Sequence, residues 1–136
     1  MSDMPSVNPA DLGAFLRATG FVVEEQSGTV VSGYVELGTD HLTPWGVVHG
    51  GVYATIVESA GSIGASAAVL DRGQFAVGLH NSTDFLRAVS TGTMTARSKP
   101  IHRGRRQQLW EVDITDQSGK LIAQGRVRLQ NIAAEN

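Results

Sequence analysis

The chain has 136 residues, 13 acidic against 11 basic side chains for a formal net charge of −2, and no cysteine. That length suits one domain with a proper core, while the missing thiols exclude a disulfide framework, a cysteine-ligated metal centre and a thiolate nucleophile. The near-neutral charge argues against a nucleic-acid partner, and 41% apolar with 18% charged residues is a globular composition.

Met1 to Ala10 is polar and proline-containing, with neither the basic nor the apolar region of a targeting signal. A helix is expected over about 9–19, because Pro9 suits a first turn and Leu12, Phe15 and Leu16 share a face; Gly20 ends it. Phe21 to Glu25 and Val30 to Leu37 read as strands around a turn at Ser27-Gly28, with Val31, Val35 and Leu37 alternating against Ser32, Tyr34 and Glu36. His41 to Gly51 is a loop broken by glycine and proline.

From Gly51 to about Leu70, Val52, Ile56, Ile63, Ala67 and Leu70 recur near a helical period. Gly61 and Gly64 would each cost about 1 kcal/mol there relative to alanine, so another backbone is expected to pass close to this helix. Its longest uncharged stretch, Ser59 to Leu70, has 12 residues. A membrane span needs about 20, so a soluble, cytoplasmic protein is expected. Gln74 to Leu86, Thr93 to Ile101, Leu109 to Thr115 and Leu121 to Leu129 then read as four strands. Trp110, Val112 and Ile114 face away from Glu111 and Asp113; Leu121, Ala123, Val127 and Leu129 oppose Gln124, Arg126 and Arg128, as in an antiparallel sheet with one wet face. Asp116 to Gly119 has the residues of a tight turn. No repeat or linker divides the chain, so residues 1–136 are expected to form a single α+β domain, one long helix covered by a sheet.

Chemistry concentrates at His49-Gly50-Gly51, which delivers the chain into the long helix. Free N–H groups and the positive dipole end there can polarise a carbonyl oxygen, and the glycines let a substrate approach the backbone. Further along, Glu58 falls on a face with Ala54, Ser62 and Ala65, where a carboxylate would be poorly solvated and correspondingly reactive. Periodicity alone reads Glu58 equally well as a solvated helix residue. No Gly-x-Ser-x-Gly element is present, and no histidine pair has metal-ligand spacing, so no metal is expected.

His-Gly-Gly followed by a helix with an acidic residue seven positions after the second glycine resembles the hotdog-fold acyl-CoA thioesterases. The likeness is greatest to the phenylacetate-pathway and glutamate-type 4-hydroxybenzoyl-CoA thioesterases. Asn81-Ser-Thr-Asp-Phe-Leu-Arg87 looks like that family's strand after the helix, and His102-Arg-Gly-Arg-Arg106 with Asp116 to Gly119 looks like its last hairpin. The resemblance spans roughly Gly28 to Leu129.

It implies a hotdog fold of about five to six antiparallel strands around one helix. Glu58 would be nucleophile or general base, Gly50 would offer its N–H to the thioester oxygen with His49 shaping the turn, and Ser62 would position water. Gly51, Asn81, Thr43 and Trp45 are candidate substrate-lining residues. Arg103, Gly104, Arg105 and Arg106, joined by Arg87, are candidates to grip coenzyme A phosphates; a solvated hairpin end is the plainer alternative. Coenzyme A would enter as part of the substrate, with no separate cofactor, and the sites would be shared between subunits of a homodimer or homotetramer. Two other functions stay open: a hydratase or dehydratase using His49 with Glu58, and a non-catalytic acyl-CoA-binding protein.

Overall fold

In a computed structural model describing residues 12–134, a short helix α1 (Gly13–Ala18) leads into strands β1 (Val22–Gln26) and β2 (Val31–Leu37), then helix α2 (Gly50–Val69). Strands β3 (Gln74–Phe85), β4 (Gly92–Arg103), β5 (Gln107–Thr115) and β6 (Leu121–Ala133) follow. The expected helix over 9–19 begins later, at Gly13; Pro9 lies outside the described residues. Leu16 is buried and Leu12 partly so, but Phe15 is 74% exposed and does not share their packing.

All six strands form one antiparallel sheet in the order β1-β2-β4-β5-β6-β3. It wraps α2, whose Ile56, Val57, Ala60 and Ile63 enter a core with Val31, Val35, Met94, Val112 and Ile114. The inward pattern read at Trp110, Val112 and Ile114 holds, and all three are fully buried. Leu121 is only half-buried, because a register shift beside Thr115 gives the core position to Ile122. On α2, Val52 and Ala67 are half-buried and Leu70 is exposed, while Tyr53, Val57 and Val69 are buried.

The small residues of α2 have two different causes. A side-chain carbon on Gly64 would strike the Trp110 ring, and one on Gly61 would strike Val127. The expected close backbone occurs further along, where Gly28 lies against Ala68 and a methyl group on it would stand 2.8 Å from the Ala68 Cα. With the turn that follows, α2 has the length and composition of a membrane-crossing helix, at a mean hydropathy of 1.2, longer than the uncharged stretch alone suggests. Half of that window is buried inside the fold, as befits a core helix.

The tight turn after β5 is held by one carboxylate. Asp116 Oδ1 accepts from the Ser118 N–H at 2.9 Å, the Ser118 hydroxyl at 2.7 Å and the Lys120 N–H at 3.0 Å. The Ser118 hydroxyl first, then the Lys120 N–H, holds the Asp116 carboxyl below its ordinary value of 3.8. A depressed folded-state value means the contribution is present above the unfolded value and lost as pH falls through the folded one. Amide resonances of Ser118 and Lys120 followed by NMR from pH 6 downward should therefore stay fixed until below the ordinary carboxylate range, then move together. Asp116→Ala should remove that transition.

Candidate active site

A helix start leaves several N–H groups without intrahelical acceptors, and here they are treated unequally. His49 caps α2 with its side chain, Nδ1 accepting the Gly51 N–H at 2.8 Å. The Val52 N–H donates to the His49 carbonyl at 2.9 Å. Among the described residues, the Gly50 N–H donates to nothing. With Nδ1 engaged as an acceptor, the His49 side chain holds the turn. The same cap removes Gly51 as a free donor and leaves Gly50 as the available one.

Gly50 borders a cleft of about 240 Å³ with Val47, Tyr53, Phe85, Leu86 and Arg87. A side-chain carbon on Gly50 would strike the Phe85 ring, which also packs against Tyr53 with ring centroids 5.7 Å apart. The Tyr53 hydroxyl is buried without a partner, and burial pushes its phenol above the ordinary value, so it stays neutral near pH 7.

Glu58 lies in a larger cleft of about 510 Å³, lined also by Phe15, Ala54, Thr55, Ser59, Asn81, Thr83 and Phe85. Its carboxylate crosses β3 at Gly78, where a methyl group would stand 3.6 Å from it. In the single chain Glu58 is exposed, contrary to the expected poor solvation, and it makes no hydrogen bond or ion pair among the described residues. The supposed common face divides: Ala65 is fully buried among Ala76, Trp110, Val127 and Leu129, whereas Glu58 is open.

Asn81 lines this cleft. Its Nδ2 donates to the Ala54 carbonyl at 2.9 Å and its Oδ1 accepts the Thr83 hydroxyl at 2.6 Å, which ties β3 to α2 beside Glu58. Other candidates are elsewhere. Ser62, one turn beyond Glu58, is half-buried and outside the lining of either cleft. Thr43 folds its own loop, accepting the Trp45 N–H on Oγ1 at 3.3 Å and receiving the Gly46 N–H on its carbonyl at 2.9 Å. Trp45, at the tip of that loop, is 85% exposed and touches neither cleft of its own chain.

The arginines do not form one cluster within the chain. Arg87 sits where β3 ends, its N–H donating to Ile122 at the start of β6, whereas the Arg103–Arg106 hairpin is fixed to Asn131 near the end of β6. Nine strand steps, from Ile122 to Asn131, separate those points, about 30 Å along the strand. Arg103 is occupied, its Nη1 donating to the Gly28 carbonyl at 2.8 Å. Arg105 and Arg106 are exposed, with side chains unpaired among the described residues.

Sequence reasoning missed Phe15, Thr55, Ser59, Thr83 and Phe85. Thr55 and Ser59 were accessible by helical spacing, three before and one after Glu58; nothing in the local pattern singles out Phe15. Among the described residues no three His, Asp or Glu side chains gather as a metal site.

A sequence profile of the thioesterase superfamily matches residues 46–123, from the loop before α2 into β6. The chain belongs to this superfamily. The sheet wrapped around one long helix is the hotdog fold, shared with the solved structure of Mycobacterium tuberculosis Rv1847/MT1895, which bears a provisional esterase name. That structure is 40% identical with a TM-score of 0.87, covering 90% of this chain and 98% of the other. In direct sequence alignment the mycobacterial protein is 50% identical over 91 residues, a segment spanning 65% of each chain. Two further relatives align. The proofreading thioesterase EntH of Cronobacter sakazakii is 29% identical over 124 residues, 91% of this chain and 90% of that one. A 1,4-dihydroxy-2-naphthoyl-CoA hydrolase of Listeria monocytogenes is 36% identical over 83 residues, 61% of this chain and 67% of that one.

Proposed function

We propose that this chain hydrolyses acyl-CoA thioesters, with each active site assembled from two copies. The observation that carries this reading is the placement of Gly50 and Glu58. One offers an unpaired N–H and the other an unpaired carboxylate, yet they are eight residues apart on one helix. That is about 12 Å along the axis, too far for both to touch one thioester carbonyl.

A second copy resolves the separation. Among the described residues β3 is a border strand of 12 residues with only β6 beside it, and Val77, Leu79 and Phe85 on it are exposed. Such a strand is a ready template for pairing. Antiparallel pairing of two β3 strands about a two-fold axis sets the Phe85 end of each, with its Gly50, against the Gln74 half of the other, toward Glu58 and the arginine hairpin. The exposed Trp45 and Phe15 then acquire surfaces to cover, and Glu58 loses water.

In that arrangement the Gly50 N–H of one copy donates to the thioester oxygen, and the α2 dipole favours the charge that develops there; one such donor is worth about 3 kcal/mol. Glu58 of the other copy either attacks the carbonyl carbon, expelling the coenzyme A thiolate and leaving an anhydride for water to cleave, or takes a proton from an attacking water. Asn81 holds the β3 wall beside Glu58, Arg105 and Arg106 bind coenzyme A phosphate, and Ser62, outside the cleft lining of the single chain, takes no part in positioning that water. Within the superfamily we place the chain with the glutamate-type enzymes, acting in the cytoplasm on small aromatic or medium-chain acyl groups without a separate cofactor. The naphthoyl-CoA hydrolase among its relatives supports an aromatic acyl group. Hydration chemistry fits less well, because His49 spends Nδ1 on the cap and lies nine residues from Glu58.

The test is a free-thiol assay across aryl- and alkyl-CoA esters, paired with light scattering. Turnover of at least one ester is expected, from a species of two or four 14.4 kDa chains. Water addition to an enoyl-CoA without thiol release, or tight binding with no turnover on any ester, would overturn the reading.

A further inference from the structure

The hairpin between β4 and β5 has an unusual backbone. Three successive carbonyls, those of Gly104, Arg105 and Arg106, all turn onto one residue of β6. Asn131 Nδ2 donates to the Gly104 and Arg105 carbonyls at 3.2 and 3.1 Å, and the Asn131 N–H donates to the Arg106 carbonyl at 2.8 Å. In a trans peptide the carbonyl and the next N–H point in opposite directions, and no cis bond is present among the described residues. The N–H groups of Arg105 and Arg106 therefore face away from Asn131, and both residues are exposed. Neither N–H has an acceptor among the described residues. Successive outward N–H groups form an anion-binding concavity.

Asn131 is itself held. It is 7% exposed at an inward strand position, and its Oδ1 accepts from Gln108 Nε2 at 2.8 Å. Gln108, 1% exposed, also donates to the Ala65 carbonyl of α2 at 2.9 Å and accepts the Trp110 indole N–H on Oε1 at 2.9 Å. Both amides are satisfied, and a satisfied buried network fixes one geometry. The network runs from the hairpin to the helix that carries Glu58.

We propose that Asn131 is a positioning residue for phosphate binding: by drawing three carbonyls inward it turns the Arg105 and Arg106 N–H groups, with their guanidinium groups, toward a phosphate of the substrate's coenzyme A. This rests on the acyl-CoA reading above. The probes are an acyl-CoA and the N-acetylcysteamine thioester of the same acid, which has the same reacting group but no phosphate. Asn131→Ala should raise KM for the acyl-CoA about tenfold, the effect of losing about 1.4 kcal/mol, with kcat within twofold and KM for the truncated thioester unmoved. Asn131→Ser, which keeps one donor and guards against misfolding of the alanine variant, should give a smaller rise of the same kind. In an Arg105→Ser/Arg106→Ser background, Asn131→Ala should add less than its full effect. Wild-type KM values equal for the two thioesters would sink the phosphate grip and this role with it. A wild-type preference for the CoA ester that survives intact in both Asn131 variants, or KM values that rise equally for both thioesters, would overturn the role of Asn131 alone.

Discussion

Glu58→Gln should lower kcat for acyl-CoA hydrolysis by about 10³-fold, the usual contribution of a positioned base or nucleophile, while leaving the protein folded. The side chain is exposed and makes no hydrogen bond or ion pair among the described residues, and changes at such positions usually shift stability by no more than about 0.5 kcal/mol. Loss of rate with an unchanged melting curve would therefore be chemical in origin. Glu58→Ala should match it, since neither variant retains a carboxylate. An unaltered rate in both would remove Glu58 from the mechanism. A single turnover in ¹⁸O-water tests for the anhydride: opened by water at the glutamyl carbon, it leaves the label on Glu58 and an enzyme oxygen in the first product molecule, an outcome that direct attack of water on the thioester cannot give.

Trp110→Ala should be the most destabilising single change in the core. The indole is fully buried, fills the space left by Gly64 against α2, and donates to Gln108 Oε1. Truncating a buried aromatic costs about 3–5 kcal/mol, and an orphaned buried acceptor adds about 1–3 kcal/mol. Against a typical total of about 5–15 kcal/mol, thermal unfolding followed by circular dichroism should move down by roughly 10–20 °C. Gly64→Ala should also destabilise, by forcing the same ring out of place. A shift of only one or two degrees in Trp110→Ala would show that the indole does not fasten helix to sheet.

The element order was legible because strand alternation and helical spacing are local signals, and the Asp116 turn and the Ser27-Gly28 turn are local too. Strand ends were not. β5 begins at Gln107 and β6 runs to Ala133, beyond the expected Leu109 and Leu129, because Gln108 and Asn131 are polar residues at inward positions. Each makes the other tolerable in the core, and a pairing 23 residues apart leaves no trace in either strand's own pattern. The glycine-rich helix start was legible from the residues, but Gly50 as donor and Glu58 as the acting carboxylate came from the family resemblance, since periodicity alone read Glu58 equally well as a solvated helix residue. That His49 would take the Gly51 N–H, freeing Gly50 alone, depends on a ring orientation that spacing does not encode. Phe15 was grouped with Leu16 by periodicity but turns to the Glu58 cleft instead, since only part of a six-residue helix reaches the core.

The sheet's two borders are built differently. The β1 border has five residues, skips pairing at Glu24 and shows Glu24 and Glu25 to water, whereas the β3 border is long and apolar. When two chains join along β3, only the short acidic margins remain outward, and like charges with a broken ladder make poor templates. In the proposed pairing, growth by strand addition would then halt at a pair instead of continuing into a ribbon, because the second border offers no matching ladder.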